Sequence, residues 1–427
     1  MFGTLDAVHG LYYLGMHGLF ELVGYTPFTL RVPSALAVGV TAGLVVVLGR
    51  QLHSTTLGIL AGTVFAVLPR VTWMGGEGRS FALSALLAVL MTVLFVRAQR
   101  GNTWGAWALY SASVLLGLVG FLYLALVVLA HGVAVLLHRA RALRWLAAAG
   151  VAGLAALPFA LVVVSQSSQL PDMNPLGVGA VGDVLVTQWF ESSPVLAVAA
   201  LALATWGLAG WAHPLARRVL LPAVVVPTLA LLAVGLANPE TYQPRYLGMC
   251  APFVALAIAL GMTRLRPRPV AALALAVVVA LSIPALVAQR QPDSKKDAVW
   301  AQVAALVEQK RATDGAATAT AIVYGALSPH RGTTARVISV AYPDAFAGTV
   351  DVTLDVPAAD TGMLWATDLP LDESFDRLMS VDVLYVVMTG GEKRRAETAA
   401  ALATVDWMQQ DLTTVGDVHL LRFERAG

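Results

Sequence analysis

Between residues 33 and 288 the chain alternates long apolar runs with short polar breaks. Runs of about 17 to 25 apolar residues are long enough to cross a bilayer as helices. Ten such stretches can be drawn: 33–50, 56–69, 80–98, 104–119, 120–138, 144–164, 194–212, 218–236, 246–263 and 269–288. The second is short, and the division between the fourth and fifth rests on Gly117 and Gly120. The pattern predicts a polytopic α-helical membrane protein. After residue 288 it changes. A polar linker holding Arg290, Lys295 and Lys296 is followed by a stretch, 297–312, with Val299, Val303, Leu306 and Val307 at helical spacing. Strand-like runs at 319–324 and 381–388, a helix at 392–404 and a last strand near 417–423 predict a small α/β domain with a partly parallel sheet. Thr389-Gly390-Gly391 follows a strand but lacks the further glycines and the lysine of a phosphate loop, so it reads as a plain turn.

Composition agrees with the pattern. The chain is 58% hydrophobic and 13% charged, about half the charge of a soluble domain. Its mean hydropathy is +0.72. A net charge of +2 says little about partners, and no basic stripe points to nucleic acid. The single Cys250 excludes an intrachain disulfide and any multi-cysteine metal site. No metal and no cofactor is expected.

Orientation follows from the basic residues. Alternate loops carry Arg50; Arg97 and Arg100; Arg139, Arg141 and Arg144; Arg217 and Arg218; Arg264, Arg266 and Arg268. The opposite loops, apart from the tail, carry only Arg31, Arg70, Arg79 and Arg245. The first set is therefore expected to be cytoplasmic. The second set, the N-terminal segment and the tail are expected outside. The expected domains are residues 1–32, a partial first extracytoplasmic loop; 33–288, a transmembrane domain; and 289–427, an extracytoplasmic α/β domain. An N-terminal segment outside the membrane, with no signal peptide, leads us to expect that a preceding helix is missing from this chain.

The external loops hold the chemistry-bearing residues. The first has Asp6, His9, Tyr12, Tyr13, His17 and Arg31. The second has Arg70, Trp73, Glu77 and Arg79; the third Gln166, Gln169, Gln188, Trp189 and Glu191; the fourth Tyr242, Arg245 and Tyr246. Asp6 reads equally as a base, an acceptor for a sugar hydroxyl or a cap. His9, three residues on, can hydrogen-bond to it. Arg31, Arg79 and Arg245 at helix ends suit phosphate recognition or simple interfacial anchoring. Glu77 and Arg79 can pair with each other. Tyr12, Trp189 and Tyr246 can stack on a sugar or belong to an aromatic belt. His131, inside a predicted helix, reads as a satisfied packing residue.

In order and spacing, the segments Asp6-Ala-Val-His9-Gly-Leu-Tyr12-Tyr13, Arg31-Val-Pro33-Ser34, Glu77-Gly-Arg79-Ser-Phe and Pro244-Arg245-Tyr246-Leu247 resemble the membrane glycosyltransferases of the GT-C superfamily. The nearer resemblance is to the protein O-mannosyltransferase-like and aminoarabinose-transferase-like branch, and to actinobacterial mannosyltransferase-like members lacking the N-terminal helix. It covers residues 1–288. It implies an enzyme of cell-envelope assembly that moves a sugar, with mannose expected, from a polyprenyl-phosphate carrier to an extracytoplasmic protein, lipid or polysaccharide acceptor, with membrane lipids around it. The resemblance implies catalytic roles for Asp6 and His9. It implies substrate-binding roles for Tyr12, Arg31, Glu77, Arg79, Gln169, Trp189, Arg245 and Tyr246. The family's catalytic carboxylate belongs to an acidic pair upstream of the Asp-x-x-His element, and that pair is not in this sequence. This keeps open a non-catalytic relative that binds glycan or a partner. A lipid or solute transporter would need charges deep within the helices, and almost none are found there.

Overall fold

The computed structural model describes the chain except residues 1–6, 139–140, 167–178, 210–213, 238–241, 292–293, 295–298, 316, 328–332, 363–364 and 427. Asp6 and Gln169 lie outside the described residues. The chain divides into two compact units, one reaching Arg290 and the other starting at Gln291.

The first unit is a helical membrane bundle. Six helices are long and apolar enough to cross a bilayer: Pro27–Leu52, Phe81–Gly101, Ala142–Ser165, Pro214–Leu236, Pro244–Thr263 and Arg268–Ala288. Two bent pairs raise the number to eight, and the shorter apolar helices Trp104–Gly120 and Leu122–Leu137 fill the two remaining stretches. Large apolar side chains on their outer faces, such as Leu143, Leu154 and Leu236, are exposed as lipid-facing residues are. The helix Ala251–Thr263 is different. It is buried on every face up to Met262, as an all-apolar helix at the centre of a bundle should be. In a bilayer, helices gain little from leaving lipid, so close packing of small residues holds them. A Cβ on Gly261 would overlap the Leu203 carbonyl, and one on Gly207 would lie 2.5 Å from the Gly261 nitrogen. Ala251–Thr263 and Pro194–Ala209 touch backbone to backbone there.

Both bends have local causes. Thr55–Val67 meets Pro69–Gly75 at 64°. Proline has no N–H and pushes the residue before it out of helical conformation, and Leu68 has ψ 131°. Ala180–Phe190 meets Pro194–Ala209 at 85°. Glu191 between them has a positive φ of 52°, which few non-glycine residues adopt.

Two segments expected as loops are helical, and the expected helix at 246–263 begins as a 3-10 turn. Gly10–Val23 is an α-helix, Ala180–Phe190 is helical with a π-turn at Asp183–Thr187, and Pro244–Cys250 is a 3-10 helix. Their polar and aromatic residues weaken the apolar signal, while packing against the bundle supplies what propensity lacks. His131 is held as a packing residue. It bonds Thr92 Oγ1 and the Tyr110 hydroxyl, both at 3.0 Å, and stacks on Phe95 at 4.4 Å.

The second unit is a five-stranded mixed sheet of order β2-β1-β3-β5-β4. Its strands are β1 (Thr320–Tyr324), β2 (Val350–Asp351), β3 (Val383–Thr389), β4 (Trp407–Val415) and β5 (Val418–Arg425). β2, β1 and β3 are parallel, while β5 runs antiparallel to both of its neighbours, β3 and β4. β3, Val-Leu-Tyr-Val-Val-Met-Thr, is buried at every position. Such an unbroken apolar run belongs to a strand covered on both faces. One face packs on helix Val299–Asp314 through Val303 and Val307, the other on helix Glu392–Ala403 through Leu402. Sequence reasoning missed β4, whose Met-Gln-Gln-Asp stretch on the sheet edge is mostly exposed.

Candidate functional site

Where the N-terminal helix meets the bundle, aromatic and basic residues from four distant segments converge. Ala7–His9 forms a 3-10 turn leading into Gly10–Val23. The Ala7 N–H donates to Gln166 Oε1 at 2.8 Å. His9 is buried, with Nδ1 hydrogen-bonded to Ser80 Oγ at 2.6 Å. Its ring stacks on Phe121 at 5.6 Å and meets the edge of Phe81 at 5.7 Å. Phe81 in turn lies 6.4 Å from Tyr246, and Tyr246 lies 4.9 Å from Tyr123. Trp73 closes the group at 5.5 Å from Phe81.

This setting fixes the state of His9. Burial, then the nearby positive charges of Arg79 and Arg245, pull its pKa down to about 3. The imidazole is therefore neutral at physiological pH. Arg79 is exposed, Arg245 half-buried. Among the described residues neither guanidinium makes an ion pair or a side-chain hydrogen bond, and the Arg245 Nε is buried without a partner. Arg245 lies 5.7 Å from the Tyr246 ring. Two guanidiniums thus bear on one neutral histidine with no carboxylate among the described residues pairing them, an arrangement that favours an anionic ligand.

Arg70 contrasts with these two. It is buried, pairs with Glu191 at 2.7 Å, and donates to the Gln188 carbonyl at 3.0 Å and the Thr187 carbonyl at 2.6 Å. It clamps the bend after Ala180–Phe190. Gln188 is fully buried, donating to Thr228 and accepting from the Tyr242 hydroxyl, each at 3.0 Å. These residues hold the wall of the site.

Of the residues expected at the site, the structure brings His9, Arg79, Arg245 and Tyr246 together. Tyr12 is buried beside Ser34 and Glu77, and its hydroxyl pKa is raised, mainly by burial. Ser34 Oγ donates to the Glu77 carbonyl at 2.7 Å, which ties the Glu77–Arg79 turn to the Pro27–Leu52 helix. Two residues are placed elsewhere. Trp189 is packed into the bundle core, since the helical turn Gln188–Phe190 points it inward. Arg31 is exposed near the start of Pro27–Leu52 and takes no part in the aromatic contacts. Ser80, Phe121 and Tyr123 were missed by sequence reasoning. Ser80 precedes a helix and the other two look like ordinary membrane-helix residues, so only the fold brings them beside His9.

The fold is GT-C-like, as its likeness to solved structures shows. The chain is similar in structure to ArnT from Cupriavidus metallidurans bound to undecaprenyl phosphate, with TM-score 0.57 and 13% identity, over 98% of this chain and 89% of that one. Against apo ArnT from the same organism the TM-score is 0.59 at 12% identity, over 99% and 88%. The arabinofuranosyltransferase AftD from mycobacteria aligns with TM-score 0.56 at 17% identity, over all of this chain and 35% of that one. No protein-family model and no curated protein matches the sequence.

Proposed function

We propose that the protein is a membrane glycosyltransferase that takes a sugar, with mannose the first to test, from a polyprenyl-phosphate carrier and gives it to an extracytoplasmic acceptor in cell-envelope assembly. The observation that carries this reading is the pair Arg79 and Arg245, unneutralised among the described residues, beside a neutral His9. A phosphate on a lipid tail presents its charge at the membrane surface, at the level of helix ends. Two guanidiniums there would hold the donor phosphate and stabilise the charge it gains on leaving.

In the proposed reaction an acceptor hydroxyl attacks the anomeric carbon. The carbon–oxygen bond to phosphate breaks, its electron pair leaves with the phosphate, and the hydroxyl proton passes to a carboxylate. Asp6, the carboxylate of the Asp-x-x-His element, is the base we propose. His9, kept neutral by its surroundings, would orient Ser80 and the aromatic wall rather than move protons. Tyr246 and Tyr12 would line the sugar position, and Arg31 and Gln169 would act at the donor's approach. With the basic loops cytoplasmic, the site and the domain after residue 288 would face outward.

The test is sugar transfer by the full chain in lipid nanodiscs, read as polyprenyl phosphate released from a panel of polyprenyl-phosphate sugars. The reading expects release from at least one donor. It expects losses of about 10²-fold or more in Arg79→Ala and Arg245→Ala, the scale of removing a charge-stabilising donor. Release unaffected by both substitutions would sink the assignment of the phosphate site.

A further inference from the structure

The sheet unit contains a cleft that the membrane site does not use. The loops leaving β1 and β3 run in opposite directions. β1 connects through Arg336–Ala341 to β2 on one side of it, and β3 through Glu392–Ala403 to β4 beyond β5 on the other. The point where parallel connections diverge, at the carboxyl ends of the strands, is where open α/β sheets form ligand crevices. At this switch point lies a cavity of about 220 Å³. It is lined by Tyr324 and Gly325 at the end of β1, Met388 of β3, Thr353 after β2, Asp368, and Thr398 on the helix after β3. Gly325 belongs there for a steric reason: a Cβ would lie 2.7 Å from the Met388 Cβ.

The lining chemistry narrows the ligand. Arg336 bonds to both Asp351 and Asp368, and Thr353 Oγ1 donates to Asp368 Oδ1 at 3.2 Å. These bonds fix the Asp368 carboxylate through Oδ1, and among the described residues none engages Oδ2, which is offered to a ligand hydroxyl. The cluster of one arginine and two aspartates carries net negative charge, which disfavours phosphate and other anions. A metal ion is disfavoured too, because a guanidinium already lies between the carboxylates and, among the described residues, no group of three or more His, Cys, Asp or Glu gathers to hold one. The remaining walls are apolar: Val323, Leu369, Leu371, Val386 and Met388. A carboxylate and hydroxyls opposite apolar walls match a polyol ring with one polar edge and one C–H face. The volume lies below the roughly 300–1,000 Å³ of drug-sized sites, which limits the occupant to about one small ring. We propose that this cleft binds a single neutral sugar residue of a glycan, separately from the transfer site.

The test is saturation-transfer-difference NMR on the full chain in nanodiscs with methyl α-D-mannopyranoside, methyl α-D-glucopyranoside and methyl α-D-arabinofuranoside as probes. Thr398→Phe fills the cleft from a half-exposed helix position whose hydroxyl bonds only its own helix backbone. Asp368→Asn removes the acceptor charge with little change of shape and serves if the first variant fails to fold. The signal of at least one probe is expected to fall about tenfold or more in each folded variant, as when a charged hydrogen bond is lost. It is expected to persist in the double variant Arg79→Ala/Arg245→Ala, so failure here and failure of the transfer reading are distinguishable. No signal with any probe, a signal kept by either folded cleft variant, or a signal lost in the arginine variant would overturn the proposal.

Discussion

His9 shows how much one residue's environment decides. Its ring is enclosed by Phe81 and Phe121 and faces two arginines, so protonation would bury an unpaired charge beside like charges. Its folded-state pKa of about 3 lies far below the roughly 6.5 of an unfolded histidine. The unfolded chain therefore binds the extra proton first. The stabilisation is complete above about pH 6.5 and is lost as pH falls toward 3, by up to about 1.4 kcal/mol per pH unit. Thermal melts should show wild type losing stability between pH 7.5 and 5 relative to His9→Gln, which keeps a polar group for Ser80 and cannot titrate. Parallel curves would mean that His9 is solvated and free to protonate. At this scale the sequence offered His9, Arg245 and Tyr246 as candidates because they lie in the polar and aromatic segments between apolar runs that carry the resemblance. It did not separate Arg70 from Arg79. Both are arginines on one short segment, yet one clamps Glu191 and two carbonyls while the other stays exposed. That difference comes from segments more than 100 residues away and leaves no local signal.

At the scale of elements, the ten apolar stretches were legible because lipid demands long unbroken runs, and each coincides with a helix or a bent helix pair. The two bends were less legible. Pro69 marks the first, but the second depends on Glu191 at positive φ, held by Arg70. The short strand β2 and the polar edge strand β4 carry too little apolar pattern to stand out. Helix packing in the bundle was also hidden, since the sequence does not say which glycines face a neighbour. Gly261 faces the Leu203 carbonyl directly. Gly261→Val would force Ala251–Thr263 away from Pro194–Ala209, at a cost of about 1–3 kcal/mol or more, as overpacking does. The measurement is the melting temperature in detergent, with Gly150→Val, where a Cβ meets nothing within 4 Å, as the control. Equal melting temperatures for the two variants would contradict the close backbone contact.

At the scale of the molecule, two units with different solvents share one chain. The bundle is held by close packing and by buried polar bonds such as those of Gln188 and His131. The sheet unit has two apolar cores, one on each face of its strands, built by burial from water. The bundle's architecture matches that of ArnT and AftD, while identities of 12–17% leave the site residues to be argued from this chain alone. In the proposed function, Arg79 and Arg245 together receive a lipid-linked phosphate. The most direct measurement is the affinity of the purified full chain for undecaprenyl phosphate in nanodiscs, compared with undecaprenol and with the double variant Arg79→Ala/Arg245→Ala. Wild type is expected to prefer the phosphate clearly. The variant is expected to lose about tenfold or more in affinity, the scale of a charged hydrogen bond, with melting temperature unchanged. Equal binding of phosphate and alcohol, or full affinity in the double variant, would contradict that role.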